Sequence, residues 1–174
     1  MRRQETTYYL EMTDPGELRA SPAPRGDLKL TRATVADPEL NRFFYSAVGR
    51  DWFWIDRLAW TSDQWLTWLT QPGHETWTLE AAGTPAGYFE LDCGVEAAVE
   101  IAYLGLLPEF VGRGLGGYLL TEAARRAWEK GASRVWLHTS SFDHPAALAN
   151  YRSRGFRLFK TETAYKDLPD RPPG

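Results

Sequence analysis

Leu106-Leu107-Pro108-Glu109-Phe110-Val111-Gly112-Arg113-Gly114-Leu115-Gly116-Gly117 joins an apolar run to an amphipathic one. Upstream, Val99 to Leu107 carries Ile101-Ala102-Tyr103-Leu104-Gly105, nearly continuous in apolar character, as a central strand covered on both faces requires. Downstream, Leu119, Leu120, Ala123, Ala124, Ala127 and Trp128 recur at helical spacing between Leu115 and Lys130, and Gly131 suits the position just past a helix end. The stretch therefore reads as strand, glycine turn, helix. Glycines let a backbone come close to a ligand, and a helix start leaves N–H groups unpaired at the positive end of its dipole. Together they form a cradle for a phosphate or pyrophosphate. The same glycines also serve a tight turn and close helix-sheet packing with no ligand at all. A P-loop is excluded because no Gly-Lys-Ser/Thr follows, and too few βα units remain for a dinucleotide fold.

Working outward, Arg134 to Thr139 reads as a strand, Pro145 opens a short helix to about Arg152, and Phe156 to Tyr165 supplies a last strand or two strand halves. On the N-terminal side, Thr76–Glu80 and Ala86–Leu91 flank a hairpin connection at Ala81-Ala82-Gly83-Thr84-Pro85. Thr61 and Gln64 have the spacing of a capping box for a helix over Ser62–Leu69. Asp37-Pro38 caps another whose apolar face is Leu40, Phe43, Phe44 and Val48, ending at Gly49. Leu28–Ala33 alternates as a strand, and Thr7–Met12 is the one strand candidate before the Pro/Gly-rich loop. One domain over residues 1–174 is expected: 1–75 as extension and acceptor-side helices, 76–165 as core sheet, 166–174 as a flexible tail.

Composition narrows the function. With 43% apolar and 25% charged residues the chain is a globular one, and no run reaches the roughly 18 apolar residues of a membrane span. Met1-Arg2-Arg3-Gln4-Glu5 is not followed by an apolar signal core, so a cytoplasmic address is expected. Cys93 is the sole cysteine and the three histidines are scattered, which argues against a disulfide or a Cys/His metal cluster. A net charge of -3 without a basic block argues against nucleic acid as a partner. Five of the eight tryptophans fall between Trp52 and Trp68. Trp65 and Trp68 have the periodicity of helix core; Trp52, Trp54 and Trp60 have none, and line a pocket or form an apolar homodimer surface.

Two motifs carry a resemblance. Val111-Gly112-Arg113-Gly114-Leu115-Gly116 is similar to the Gln/Arg-x-x-Gly-x-Gly/Ala pattern of the GNAT (GCN5-related N-acetyltransferase) superfamily, with Val111 in place of Gln or Arg. His144-Pro145-Ala146-Ala147-Leu148-Ala149-Asn150-Tyr151-Arg152-Ser153-Arg154-Gly155-Phe156 resembles that family's Asn-x-x-Ala-x-x-x-Tyr-x-x-x-Gly-Phe, with His144 in place of Asn and the other fixed positions in step. The resemblance, from about Ala97 to Phe156, implies an α/β fold: a central mixed, mostly antiparallel sheet with splayed central strands, flanked by helices. It implies acetyl-coenzyme A as cosubstrate and no metal. Leu106, Leu107, Val111, Gly112, Arg113, Gly114, Leu115, Gly116, Gly117 and Asn150 are the expected coenzyme contacts.

Amide formation from a thioester needs a neutral amine, and an alkylamine of pKa ~10 must lose a proton near neutral pH. Glu100 lies eleven residues before Val111, where several members of that family place a catalytic glutamate; Glu96, Glu90 and Asp56 are fallback carboxylates. Tyr151 is implied as the acid that protonates the departing sulfur. Trp52, Trp54, Asp56, Trp60, His138 and His144 are the candidates for acceptor binding, while His74 reads as a loop residue. A covalent acyl-cysteine route through Cys93 has no nearby cation to support it. The expected activity is N-acetyl transfer to a primary amine, of a small metabolite ahead of a protein lysine or N-terminus. A coenzyme-binding sensor without turnover is the alternative.

Overall fold

The computed structural model describes residues 1–174 and orders seven strands and four α-helices. They are β1 (Arg2–Met12), β2 (Leu28–Arg32), α1 (Pro38–Gly49), α2 (Ser62–Leu69), β3 (Glu75–Ala81), β4 (Thr84–Cys93), β5 (Ala98–Leu106), α3 (Leu115–Glu129), β6 (Arg134–Ser140), α4 (Ala147–Ser153) and β7 (Arg157–Asp167). The strands form one sheet in the order β2-β3-β4-β5-β6-β1-β7. Every neighbouring pair is antiparallel except β5 and β6, which are parallel because α3 returns the chain between them.

Successive residues of a strand face opposite sides of the sheet, and β4 shows what each side receives. Phe89 joins Leu10, Leu79, Leu91, Val99 and Leu137 beneath the apolar stripe of α3, where Leu119, Leu120, Ala123, Ala124 and Ala127 are fully buried. Tyr88 joins Phe44 and Val48 of α1 and Leu107 on the other side. The two helices named from periodicity therefore cover the two faces, and the sheet is the middle layer.

Local chemistry fixes the helix starts. Asp37 accepts from the Glu39 N–H at 3.0 Å, ahead of Pro38. Thr61 and Gln64 close a reciprocal capping box, Gln64 N to Thr61 Oγ1 at 3.2 Å and Thr61 N to Gln64 Oε1 at 2.8 Å. Thr61→Ala removes one half of that box and is expected to cost about 1 kcal/mol. For a domain of this size that lowers the thermal midpoint by roughly 2–4 °C, readable by calorimetry or circular dichroism.

Three expectations are corrected. The first strand begins at Arg2, not Thr7, and lies between β6 and β7, with Arg2 opposite Asp167 and Tyr9 opposite His138. Its first half, Arg2-Arg3-Gln4-Glu5-Thr6, is polar on both faces because neither face there reaches the core, so no alternation marks it. The segment read as tail opens inside β7, which runs through Asp167; Lys166 pairs with Asp56 at 3.0 Å, and Leu168 is buried, its N–H donating to the Met1 carbonyl. His74 is no solvent loop residue: its ring is enclosed, and Nε2 stands 2.9 Å from Oε1 of the fully buried Glu90, which also accepts from Trp68 Nε1.

The ladder between β5 and β6 holds only from Ala98–Glu100 to Arg134–Trp136. Beyond Glu100 the two strands part. β5 stays paired to β4 as far as Leu106, while β6 stays paired to β1 as far as Ser140, so the sheet opens between its central strands.

Candidate functional site

Two cavities occupy the opening. The first, about 240 Å³, is bounded by Leu104, Gly105 and Leu106 of β5, by Val111, Gly112 and Gly116, by His144, Ala147 and Asn150, and by Val48 and Trp52. The second, about 270 Å³, lies toward β1 and is bounded by Glu5, Thr7, Tyr9, Tyr45, Phe53, Asp56, Tyr103, His138, Ser140 and Lys166 among others. Trp54, Leu104, Asp143 and Tyr151 belong to both walls, so they mark where the cavities meet.

The glycine turn forms the mouth of the first cavity. Gly112 and Gly114 have φ of +82° and +77°, left-handed values that L side chains resist, and each faces open space where a Cβ would stand. None of the N–H groups of residues 112–116 has an acceptor within the protein. Five consecutive free amides at the start of a fifteen-residue helix fit the phosphates of a coenzyme. The Val111 N–H is engaged, donating to the Pro108 carbonyl at 3.3 Å, so the run of free amides starts one residue later than the motif.

The remaining expected coenzyme contacts divide. Asn150 lines the first cavity, whereas Leu107 and Leu115 are buried in the core, Gly117 abuts Ser21 and the Arg113 guanidinium lies 5.0 Å from the Phe110 ring. Gly114 caps the helix without lining the cavity.

The aromatic cluster also divides. Trp54 sits at the junction, its Nε1 donating to Asp143 Oδ1 at 2.9 Å. Trp52 lines the first cavity with His144, ring centroids 5.0 Å apart, and His144 Nδ1 accepts from the Ala146 N–H at 3.0 Å, so it supports the turn into α4. Trp60 lines neither cavity: it packs on the Arg57 guanidinium and on the fully buried Trp65. Asp56 borders the second cavity, neutralised by Lys166.

Tyr151 presents its hydroxyl at the junction without a hydrogen-bond partner in the protein, and burial, then the charge of Asp143, raise its pKa well above the ordinary tyrosine value. The phenol is thus kept protonated through the neutral range. Glu100 lines neither cavity; its Oε1 is 3.2 Å from His138 Nδ1, and His138 is the member of that pair that borders the second cavity.

Asp143 is the residue sequence reasoning missed. Besides Trp54 it accepts from Thr139 Oγ1 and Ser140 N, both at 2.8 Å, so one carboxylate ties the end of β6 to the aromatic loop at the point where the cavities join. The signal was its place just before His144 in the second motif, on the loop between β6 and α4. No group of three or more His, Cys, Asp or Glu side chains is placed to hold a metal, and no helix is long and apolar enough to cross a membrane.

Comparison with known proteins bears on the same residues. The model of the Acetyltransferase (GNAT) family matches residues 38–156. A mycothiol acetyltransferase of Corynebacterium aurimucosum is 40% identical over 81 residues, which is 45% of this chain and 26% of that protein. An uncharacterized N-acetyltransferase of Mycobacterium tuberculosis is 31% identical over 103 residues, 59% of this chain and 65% of the relative, so the chain spans less than two thirds of either. Among solved structures, a GCN5-related N-acetyltransferase from Kribbella flavida superposes with a TM-score of 0.64 at 23% identity, covering 97% of this chain and 58% of that one. That likeness concerns the fold alone.

Proposed function

Because the chain belongs to the acetyltransferase (GNAT) family, we propose that it moves an acetyl group from acetyl-coenzyme A to a primary amine of a small molecule, by direct attack in a ternary complex. The observation that carries this reading is the meeting of two cavities at Tyr151: one rimmed by free amides, the other by hydroxyls and carboxylates. The second cavity, about 270 Å³ and walled by Tyr45, Phe53 and Tyr103, is of a size to take a small acceptor.

Acetyl-coenzyme A supplies the acetyl group as a thioester. The amides of residues 112–116 hold its phosphates, and the edge of β5 from Ile101 to Leu106, freed by the splay, lines the path of its arm. In the second cavity the amine loses a proton toward the Glu100–His138 side, then its nitrogen forms the bond to the acetyl carbon as the C–S bond breaks. Tyr151 gives its proton to the leaving sulfur and is restored by the second proton shed by nitrogen. No side chain at the junction is a good covalent nucleophile, since Cys93 lies outside both cavities.

Titration calorimetry with acetyl-coenzyme A, followed by thiol release with putrescine, tyramine and lysine methyl ester, tests this. Micromolar binding with amine-dependent thiol release is the expected result. Binding with no release would favour a coenzyme sensor, and absence of binding would remove the cradle.

A further inference from the structure

His138 and Glu100 face each other across the point where the central strands part. Glu100 is the last residue of β5 still paired to β6, opposite Trp136, and His138 lies two residues along β6, on the same face of that strand. The pair is asymmetric. The Glu100 side chain is 16% exposed and borders no cavity, whereas that of His138 is 44% exposed and borders the acceptor cavity. With Nδ1 turned to Glu100 Oε1 at 3.2 Å, the ring's Nε2 has no partner in the protein. A neutral imidazole that donates through Nδ1 presents a lone pair at Nε2.

We propose that His138 is the group that takes the proton from the acceptor amine, and that Glu100 acts through it by orienting the ring and stabilising the imidazolium. The proposal rests on the acetyl-transfer reading and assigns its base. The ammonium proton passes to Nε2, and the freed nitrogen lone pair bonds to the acetyl carbon as the C–S bond breaks. The sulfur leaves with the Tyr151 proton, the second nitrogen proton restores Tyr151, and the imidazolium discharges its proton to solvent through the cavity mouth. Nothing is oxidised or reduced.

Other groups around the ring agree with this role. The Tyr9 ring of β1 lies 5.6 Å from it at a tilt of 34°, Trp136 stacks on it at 6.3 Å, and the charges that act on it are Glu100, Asp143 and Glu5. Tyr9 is itself bonded to Glu162 and covered by Lys160, both of β7. The pairing with Glu100, followed by its charge and those of Asp143 and Glu5, raises the His138 pKa against the opposing effect of burial. A base so tuned is half-deprotonated above the ordinary histidine value of ~6.5, nearer the working pH. The neutral form is the active one, so kcat/KM is expected to fall as pH drops through that raised pKa.

The test is the pH dependence of thiol release from acetyl-coenzyme A, with whichever probe amine the wild type turns over, from about pH 5.5 to 9. His138→Gln is expected to lower kcat roughly 10²-fold, with an unchanged affinity for acetyl-coenzyme A, and to abolish the acid limb. Glu100→Gln is expected to move that limb to lower pH, since the ring loses its largest raising influence. Imidazole added to His138→Ala is expected to restore part of the rate, a response that a packing defect would not give. If His138→Gln keeps the limb while Glu100→Gln removes it, Glu100 is itself the base: the proposal falls and acetyl transfer stands. If the wild type binds acetyl-coenzyme A and acetylates no probe amine, the transfer reading falls and the pair's role with it.

Discussion

Tyr151→Phe is expected to lower kcat about 10²-fold while leaving the affinity for acetyl-coenzyme A within twofold of wild type. The magnitude follows from the leaving group. A thiol has a pKa of ~8.5, so its anion can depart unaided near neutral pH, and acid catalysis helps less than it would for an alkoxide. The lost hydroxyl makes no hydrogen bond to the protein, so its removal leaves nothing unsatisfied and the fold is undisturbed. The ring keeps its place in the wall of both cavities. Stopped-flow thiol release separates the possibilities. A slowed single turnover at saturating acetyl-coenzyme A places Tyr151 in the chemical step, whereas a wild-type rate would return it to packing.

The environment of Tyr151 also explains why this phenol still holds its proton when the sulfur departs. Burial and the nearby Asp143 both oppose the phenolate, in that order of size. Asp143 in turn is fully engaged by Trp54, Thr139 and Ser140, so the charge that biases Tyr151 is fixed in position. One carboxylate on the loop after β6 therefore fixes the entrance between the cavities and adds to the effect of burial in keeping the group at the entrance protonated.

What could be read from the sequence was what local physics writes into it. The α3 stripe, the capping box at Thr61, the Asp37-Pro38 start and the glycine turn all appear where spacing put them, because each is decided within a few residues. The place of β1 between β6 and β7 was not readable. Strand partners distant in sequence are chosen by the whole sheet, and the polar first half of β1 gives no facial pattern to read. At the site the same division holds. Tyr151 and the turn stand where the motifs put them, yet the separation of Trp52 from Trp60, and of Glu100 from the cavity wall, depends on which way a side chain leaves an irregular loop or an opening sheet. Spacing along the chain carries no such information. The Glu100–His138 contact, joining residues 38 positions apart, exists only because β5 and β6 run parallel for three residues and then diverge.

Gly116→Trp is expected to weaken acetyl-coenzyme A binding at least 10²-fold, about 2.7 kcal/mol, while the protein remains folded. Both halves of that expectation come from the geometry of one Cβ. Gly116 has an ordinary helical φ, and the nearest atom to an added Cβ is Asn150 Nδ2 at 3.8 Å, an ordinary van der Waals contact. A side chain can start there without moving the backbone. It must then run into the cavity that Gly116 lines, between the start of α3 and α4, and an indole takes up much of about 240 Å³. Gly114 provides the contrast. Its Cβ position is open, but its φ is +77°, so Gly114→Ala is expected to cost about 1 kcal/mol of stability and to leave the free amides facing the ligand. Measured together by calorimetry and thermal unfolding, one variant loses affinity without stability and the other stability without much affinity. If Gly116→Trp bound the coenzyme as tightly as the wild type, the phosphate cradle would lie elsewhere than at the start of α3, and the free amides of residues 112–116 would need another explanation.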